Sequence, residues 1–166
     1  MKKVILGATG SIGSSLAKKL VDSGEQVHLV GRDEASLSEL AKELNSTFTT
    51  CDVLEENFSE KIINDLKDEQ VNGLAYCVGS IDLKPLKLTK KSDFMQSFNL
   101  NLVSATEIIK SLADNLKASK GSIVLFSTVA VQQGFPNHAI VSSAKGAVEG
   151  LTLALAAEYA PNIRVN

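Results

Sequence analysis

The chain has 166 residues, 44% of them hydrophobic and 22% charged, which fits one globular domain spanning 1–166 and excludes a disordered class. A net charge of −2 and an isoelectric point near 5.7 leave no basic footprint for nucleic acid or an anionic membrane. Two separated cysteines, Cys51 and Cys77, and two histidines, His28 and His138, offer no metal-ligand spacing and fit free thiols in a reducing, cytoplasmic compartment.

Met1-Lys2-Lys3 leads into Val4-Ile5-Leu6, a run that stops at Gly7, too short for the core of a signal peptide. No run of about 18 apolar residues follows, so no membrane span is expected. Strands are expected at 3–6, 26–30, 47–50, 72–77 and 122–126, with a sixth starting at 163. Helices are expected at 11–23, 34–44, 55–68, 91–116 and 139–160. Asp33 and Asp52 precede two of these helices as N-caps, and Gly24 and Gly121 follow two others as C-terminal stops. Strands separated by helices of these lengths require right-handed crossovers, hence a doubly wound parallel sheet. The last helix is apolar around most of its circumference, so a second cover is expected on it, a second subunit or a further segment of the protein.

Gly7-Ala8-Thr9-Gly10-Ser11-Ile12-Gly13 lies directly between the first strand and the first helix. Glycines there allow a tight turn, close approach of the backbone to a pyrophosphate, and close packing of helix on strand. The phosphates then meet free amides at the positive end of a helix dipole. A dinucleotide site is therefore expected on Gly7, Thr9, Gly10, Ser11, Ile12 and Gly13, in a Rossmann fold.

The end of the second strand selects the nucleotide. An acidic residue there would bond the ribose 2′-hydroxyl of NAD. The chain instead has Gly31-Arg32, and a guanidinium pairs with a 2′-phosphate, so NADP(H) is the expected cofactor. Asp33, one residue further, keeps NAD(H) as the alternative.

From Lys3 to Asn166 the chain resembles the short-chain dehydrogenase/reductase family. The glycine turn is similar to that family's TGxxxGxG. Cys51-Asp52-Val53 follows the third strand, where the resemblance implies adenine contacts from Asp52 and Val53. Tyr76-Cys77-Val78-Gly79 stands where the family has NNAG, keeping only the glycine. Phe98-Asn99-Leu100-Asn101-Leu102 resembles the segment with the catalytic Asn, at Asn101, and the strand ending in Ser127-Thr128 resembles the one delivering the catalytic Ser.

The resemblance implies hydride transfer between a nicotinamide and a carbonyl or alcohol carbon of a small molecule. It implies a Tyr as acid or base, a Lys that lowers the Tyr pKa and bonds the ribose, and a homodimer or homotetramer joined through the fourth and fifth helices. Lys145 takes the Lys position, Thr128 the Ser position, and Gly79, Asn101 and Lys145 border the nucleotide. The Tyr position holds Val141, which cannot donate a proton. His138 stands three residues earlier as a substitute acid or as a capping residue. The resemblance also leads one to expect the rest of strand six, a substrate-covering helical segment and a final strand beyond Asn166. Two functions follow: an oxidoreductase, or an impaired NADP(H)-binding sensor or scaffold.

Overall fold

In the computed structural model, residues 1–67 and 69–166 are described. The strands are β1 (Lys2–Leu6), β2 (Gln26–Gly31), β3 (Thr47–Thr50), β4 (Val71–Tyr76), β5 (Ser122–Leu125) and β6 (Arg164–Val165). The helices are α1 (Ser11–Asp22), α2 (Glu34–Glu43), α3 (Phe58–Leu66), α4 (Lys91–Phe98), α5 (Ser104–Ala118), α6 (Ala130–Gln133) and α7 (Ala139–Tyr159). All strand pairs are parallel, in the order β3-β2-β1-β4-β5-β6. The sheet is the doubly wound one expected.

Alternation along the strands divides the core. Val4 and Leu6 point to the layer of α3 and α5, with Phe58, Ile62, Ile108 and Leu112. Ile5 and Leu29 point to α1 and α2, meeting Ala17, Leu37 and Leu40. Both faces are buried, so the central strands read as nearly continuous apolar runs. Leu6 pairs with Val30 on one side and Tyr76 on the other. The chain runs outward from β1 to β3 and returns to β4, so its winding reverses between β1 and β4. Ligands of such sheets bind at the carboxyl ends of the strands at that reversal.

Several expected boundaries shift. The helix expected at 55–68 begins at Phe58, because Asp52 first builds a turn, its Oδ1 accepting from the Leu54 amide at 3.0 Å. Asp52 is therefore not an N-cap, and residue 68 lies outside the described residues. Asp33 does cap, accepting from the Ser36 amide at 2.8 Å. Gly24 takes a positive φ of 81° after α1, whereas after α5 Lys120 adopts φ 51°. Gly121 is needed instead for space, since a Cβ would sit 2.9 Å from the Asn72 carbonyl oxygen.

The single helix expected at 91–116 is two helices, α4 and α5, joined by a π-helical turn at Asn99–Val103. An extra residue per turn leaves apolar periodicity almost unchanged, so the sequence pattern passes through it smoothly. The loops before α4 and α7 also hold a 3-10 turn, Leu86–Leu88, and the short α6.

α7 bears on the expectation about membrane spans. Its 21 residues reach a mean hydropathy of 1.3 over an 18-residue window, enough by length and composition to cross a membrane. Alanines and glycines between the larger side chains raise the average without making one unbroken apolar run. Ile140, Val141, Ala144 and Val148 are buried within the protein, while Leu153 is 74% exposed. The outer side of α7 has no cover among the described residues.

Candidate active site

Each of the three glycines of the first turn has its own task. Gly7 has φ 73°, and a Cβ there would press to 2.9 Å from the Cys77 carbonyl. Gly10 closes the turn, its amide donating to the Gly7 carbonyl at 3.0 Å, and stands at the N-cap of α1. A Cβ on Gly13 would overlap the Gly7 carbonyl oxygen, so only glycine lets α1 start this close to β1. No side chain caps α1, and no acidic residue lies in its first turn. The amides of Ser11, Ile12 and Gly13 thus face the strand ends with the positive end of the helix behind them. Ile12 is 53% exposed there and Thr9 is exposed beside Gly31.

At the end of β2, Arg32 is 75% exposed and its guanidinium stands 3.5 Å from Asp52 Oδ2. Asp33 points elsewhere: its bonds to Ser36 cap α2 and hold its carboxyl below the usual range. Its carboxylate is committed to the helix, whereas the Arg32 guanidinium is exposed with only a long contact to Asp52. Val53 is buried in the core, so the adenine side of this region presents Asp52 and the backbone.

Beyond β4, Gly79 locates the centre of the site. A Cβ on it would lie 3.0 Å from Asn101 Oδ1 and 3.4 Å from Lys145 Nζ, so both atoms converge on one point beside its backbone. Asn101 is only 1% exposed; its Nδ2 donates to the Ser97 carbonyl at 2.9 Å, while its Oδ1 is buried without a partner. The π-helical turn aims it there. That turn is held by the Tyr76 hydroxyl donating to the Leu100 carbonyl at 2.7 Å and by Ser104 donating to the Asn99 carbonyl at 2.9 Å. π-helical turns of this kind recur at functional sites.

Lys145 reaches the same point from α7, and burial lowers its pKa from the ordinary lysine value. One turn earlier Val141 is 3% exposed, filling the expected Tyr position with aliphatic bulk. Of the adjacent hydroxyls, Ser127 donates to Glu149 on α7, whereas Thr128 accepts from the Ala130 amide at 3.3 Å. Ser127 is thereby occupied, and Thr128 is the hydroxyl left at the end of β5. His138 stands at the N-cap of α7, its Nδ1 donating to the Pro136 carbonyl at 2.8 Å and its ring tilted against Phe135. Its side chain makes no capping bond to the helix and is engaged with the preceding loop.

The structure therefore brings together Gly79, Asn101 and Lys145, and sets the glycine turn, Arg32, Asp52 and Thr128 along the same edge. Tyr76 escaped sequence reading: its hydroxyl fixes the π-helical turn, and the available signal was an aromatic donor at the end of a buried strand, which must find an acceptor. A cavity of about 410 Å³ lies at the opposite edge, between Lys2, Thr47, Asp65 and Glu69. It faces the starts of the strands, away from the glycine turn, and is no part of this site.

Residues 7–166 match the family described as Enoyl-(Acyl carrier protein) reductase. The chain is 32% identical to L-xylulose reductase of Bos taurus, covering 99% of this chain and 68% of that protein. It is likewise 32% identical to L-fucose dehydrogenase of Oryctolagus cuniculus, over 98% of this chain and 59% of the relative. A solved short chain dehydrogenase/reductase family protein superposes with a TM-score of 0.93 at 25% identity, covering 100% of this chain and 72% of the other. The L-sorbose reductase of Gluconobacter frateurii, solved with NADPH and L-sorbose, shares the fold with a TM-score of 0.94 at 20% identity, over 99% and 66%. With the glycine turn, the buried asparagine and the helix lysine in their places, the chain belongs to the short-chain dehydrogenase/reductase family.

Proposed function

We propose that this chain is an NADP(H)-dependent oxidoreductase that interconverts a carbonyl and a hydroxyl on a small metabolite. The observation that carries the proposal is the convergence of Asn101 Oδ1 and Lys145 Nζ beside Gly79, next to an uncapped helix start. A buried amide oxygen without a partner and a half-buried ammonium are costly unless a ligand completes them. The residues fit a dinucleotide: the amides of Ser11, Ile12 and Gly13 suit a pyrophosphate, and the exposed Ile12 suits an apolar neighbour. Arg32 suits a 2′-phosphate, since its exposed contact with Asp52 is weak and readily exchanged. The nucleotide would supply the hydride; Lys145 and Asn101 would hold its ribose side, and Thr128 would orient the carbonyl.

Assembly as a dimer or tetramer is part of the proposal, with Met95, Val103 and Leu153 as exposed apolar residues on α4, the π-helical turn and α7. So is a cytoplasmic setting, which the free thiols of Cys51 and Cys77 support. Val141 favours a second reading, a protein that binds NADP(H) without efficient turnover.

The test is titration with NADPH and NADH, followed by reduction of 2,3-butanedione as an activated carbonyl probe, for the native chain, Val141→Tyr and Arg32→Ala. Tighter binding of NADPH than NADH, with the difference lost in Arg32→Ala, is the expected result. Measurable reduction that Val141→Tyr raises by about 10²-fold supports the enzyme. Tight NADPH binding with no reduction in either form supports the sensor, and binding of neither nucleotide rejects both.

A further inference from the structure

We propose that Lys145 is itself the proton donor of this chain in carbonyl reduction, and the proton acceptor in the reverse direction. This rests on the reading just given, that the site is an oxidoreductase site. A carbonyl oxygen gaining charge must receive a proton from a positioned acid. Among the described residues the other side-chain donors nearest this point are engaged elsewhere or too weak as acids. Tyr76 gives its proton to the Leu100 carbonyl, and burial pushes its pKa well above the ordinary tyrosine value. Cys77 is raised to about 11 by burial. His138 donates to Pro136, Ser127 to Glu149, and Ser142 to the Ala130 carbonyl at 3.2 Å. The Thr128 hydroxyl is far too weak an acid to act alone. Lys145 Nζ has no hydrogen-bond or ion-pair partner among the described residues, and it converges with the orphaned Asn101 Oδ1.

The charged groups of the elements packed against α7 leave the ammonium to itself. Asp93 on α4 binds Lys84 at 3.1 Å, and Lys91 is exposed. Arg164 on β6 donates to the Lys120 carbonyl, and on α7 Glu149 accepts from Ser127 while Glu158 is exposed. Burial, with no neighbouring charge, is what moves Lys145.

The balance is simple. A bound reduced nucleotide would supply hydride to the carbonyl carbon; as the C=O π pair moves onto oxygen, an N–H of the Lys145 ammonium would give that oxygen its proton, directly or through one water. The amine then recovers a proton from solvent. In the reverse direction the neutral amine takes the alcohol proton, so reduction draws on the ammonium and oxidation on the amine.

The experiment has an arm without cofactor. Reductive ¹³C-methylation of the apo protein gives one resonance absent in Lys145→Arg, and its titration midpoint should lie below that of the other lysines. Reduction of 2,3-butanedione with NADPH should be flat below that midpoint and fall above it. Lys145→Arg keeps the charge but releases no proton, so its kcat should fall about 10²-fold or more. In Lys145→Ala, methylammonium and weaker alkylammonium ions should restore reduction in proportion to their acidity, with NADPH affinity unchanged by the added amine. Full activity in Lys145→Arg, or rescue independent of amine acidity, overturns the donor role and leaves the oxidoreductase standing. No NADPH binding by the native chain overturns the function, and the donor with it.

Discussion

The two edges of the sheet treat buried polar groups in opposite ways. At the edge where the strands begin, His28 is fully buried and every polar neighbour is used. Lys2 Nζ donates to Thr47 Oγ1 at 3.0 Å, and Thr49 Oγ1 donates to Asp65 Oδ2 at 2.6 Å. His28 lies between the two threonines, at 2.8 Å from Thr47 and 2.9 Å from Thr49. Because Thr49 spends its proton on Asp65, it accepts from Nε2–H, and Nδ1 accepts from Thr47. A neutral histidine thus joins an ammonium to a carboxylate through bonds that all run in one direction. At the other edge Asn101 Oδ1 and Lys145 Nζ have no partner among the described residues, and no side chain of these caps the first amides of α1. Buried polar networks stabilise when complete; incomplete ones lie where a ligand completes them.

The comparison can be broken by substitution. The largest effect is expected for Gly13→Ala, whose methyl group would overlap the Gly7 carbonyl. Pushing α1 from β1 should weaken NADPH binding by about 10²-fold and cost about 1–3 kcal/mol of stability. Fluorescence titration and urea unfolding measure the two; unchanged NADPH affinity would show that the turn is only structural.

Next in size is the pH response of the opposite edge. Burial first, then the Lys2 charge, depresses the folded pKa of His28 to about 4 from 6.5. Between these values the unfolded chain binds a proton that the folded chain refuses. Stability is therefore lost as pH falls from 6.5 toward about 4, by at most about 3 kcal/mol. Urea midpoints at pH 7.5 and 4.5 should differ by less in His28→Gln than in the native chain, and equal differences would refute the assignment.

The smallest effect sharpens the contrast. Asn101→Leu removes an oxygen that has no partner among the described residues together with the Nδ2 bonds to the Ser97 carbonyl and hydroxyl, so stability should move by only about 1 kcal/mol. Carbonyl reduction should nevertheless fall. A large loss of stability would make Asn101 a structural residue like His28.

Much of this site can be read without coordinates, because its residues are tied to local conformations. The turn from Gly7 to Gly13 needs glycine for reasons of backbone space, and such needs leave a spacing visible in any alignment-free reading. The α-helical period hid the π-helical turn, since one inserted residue barely disturbs an apolar stripe. Ser127 and Thr128, and likewise Arg32 and Asp33, are adjacent in sequence, and only the contacts with Glu149 and Ser36 show that Ser127 and Asp33 are already engaged.

Sequence by itself determined the alternation of strand and helix, the parallel sheet, the glycine turn between β1 and α1, and Val141 one helical turn before Lys145. These follow from periodicity, glycine sterics and side-chain chemistry, all of which act within a few residues. Tertiary structure decided which polar atoms remain unpaired. Asn101, Gly79 and Lys145 meet only because β4, the π-helical turn and α7 converge at one sheet edge, and a missing hydrogen bond is a property of a place, visible only once every neighbour is known.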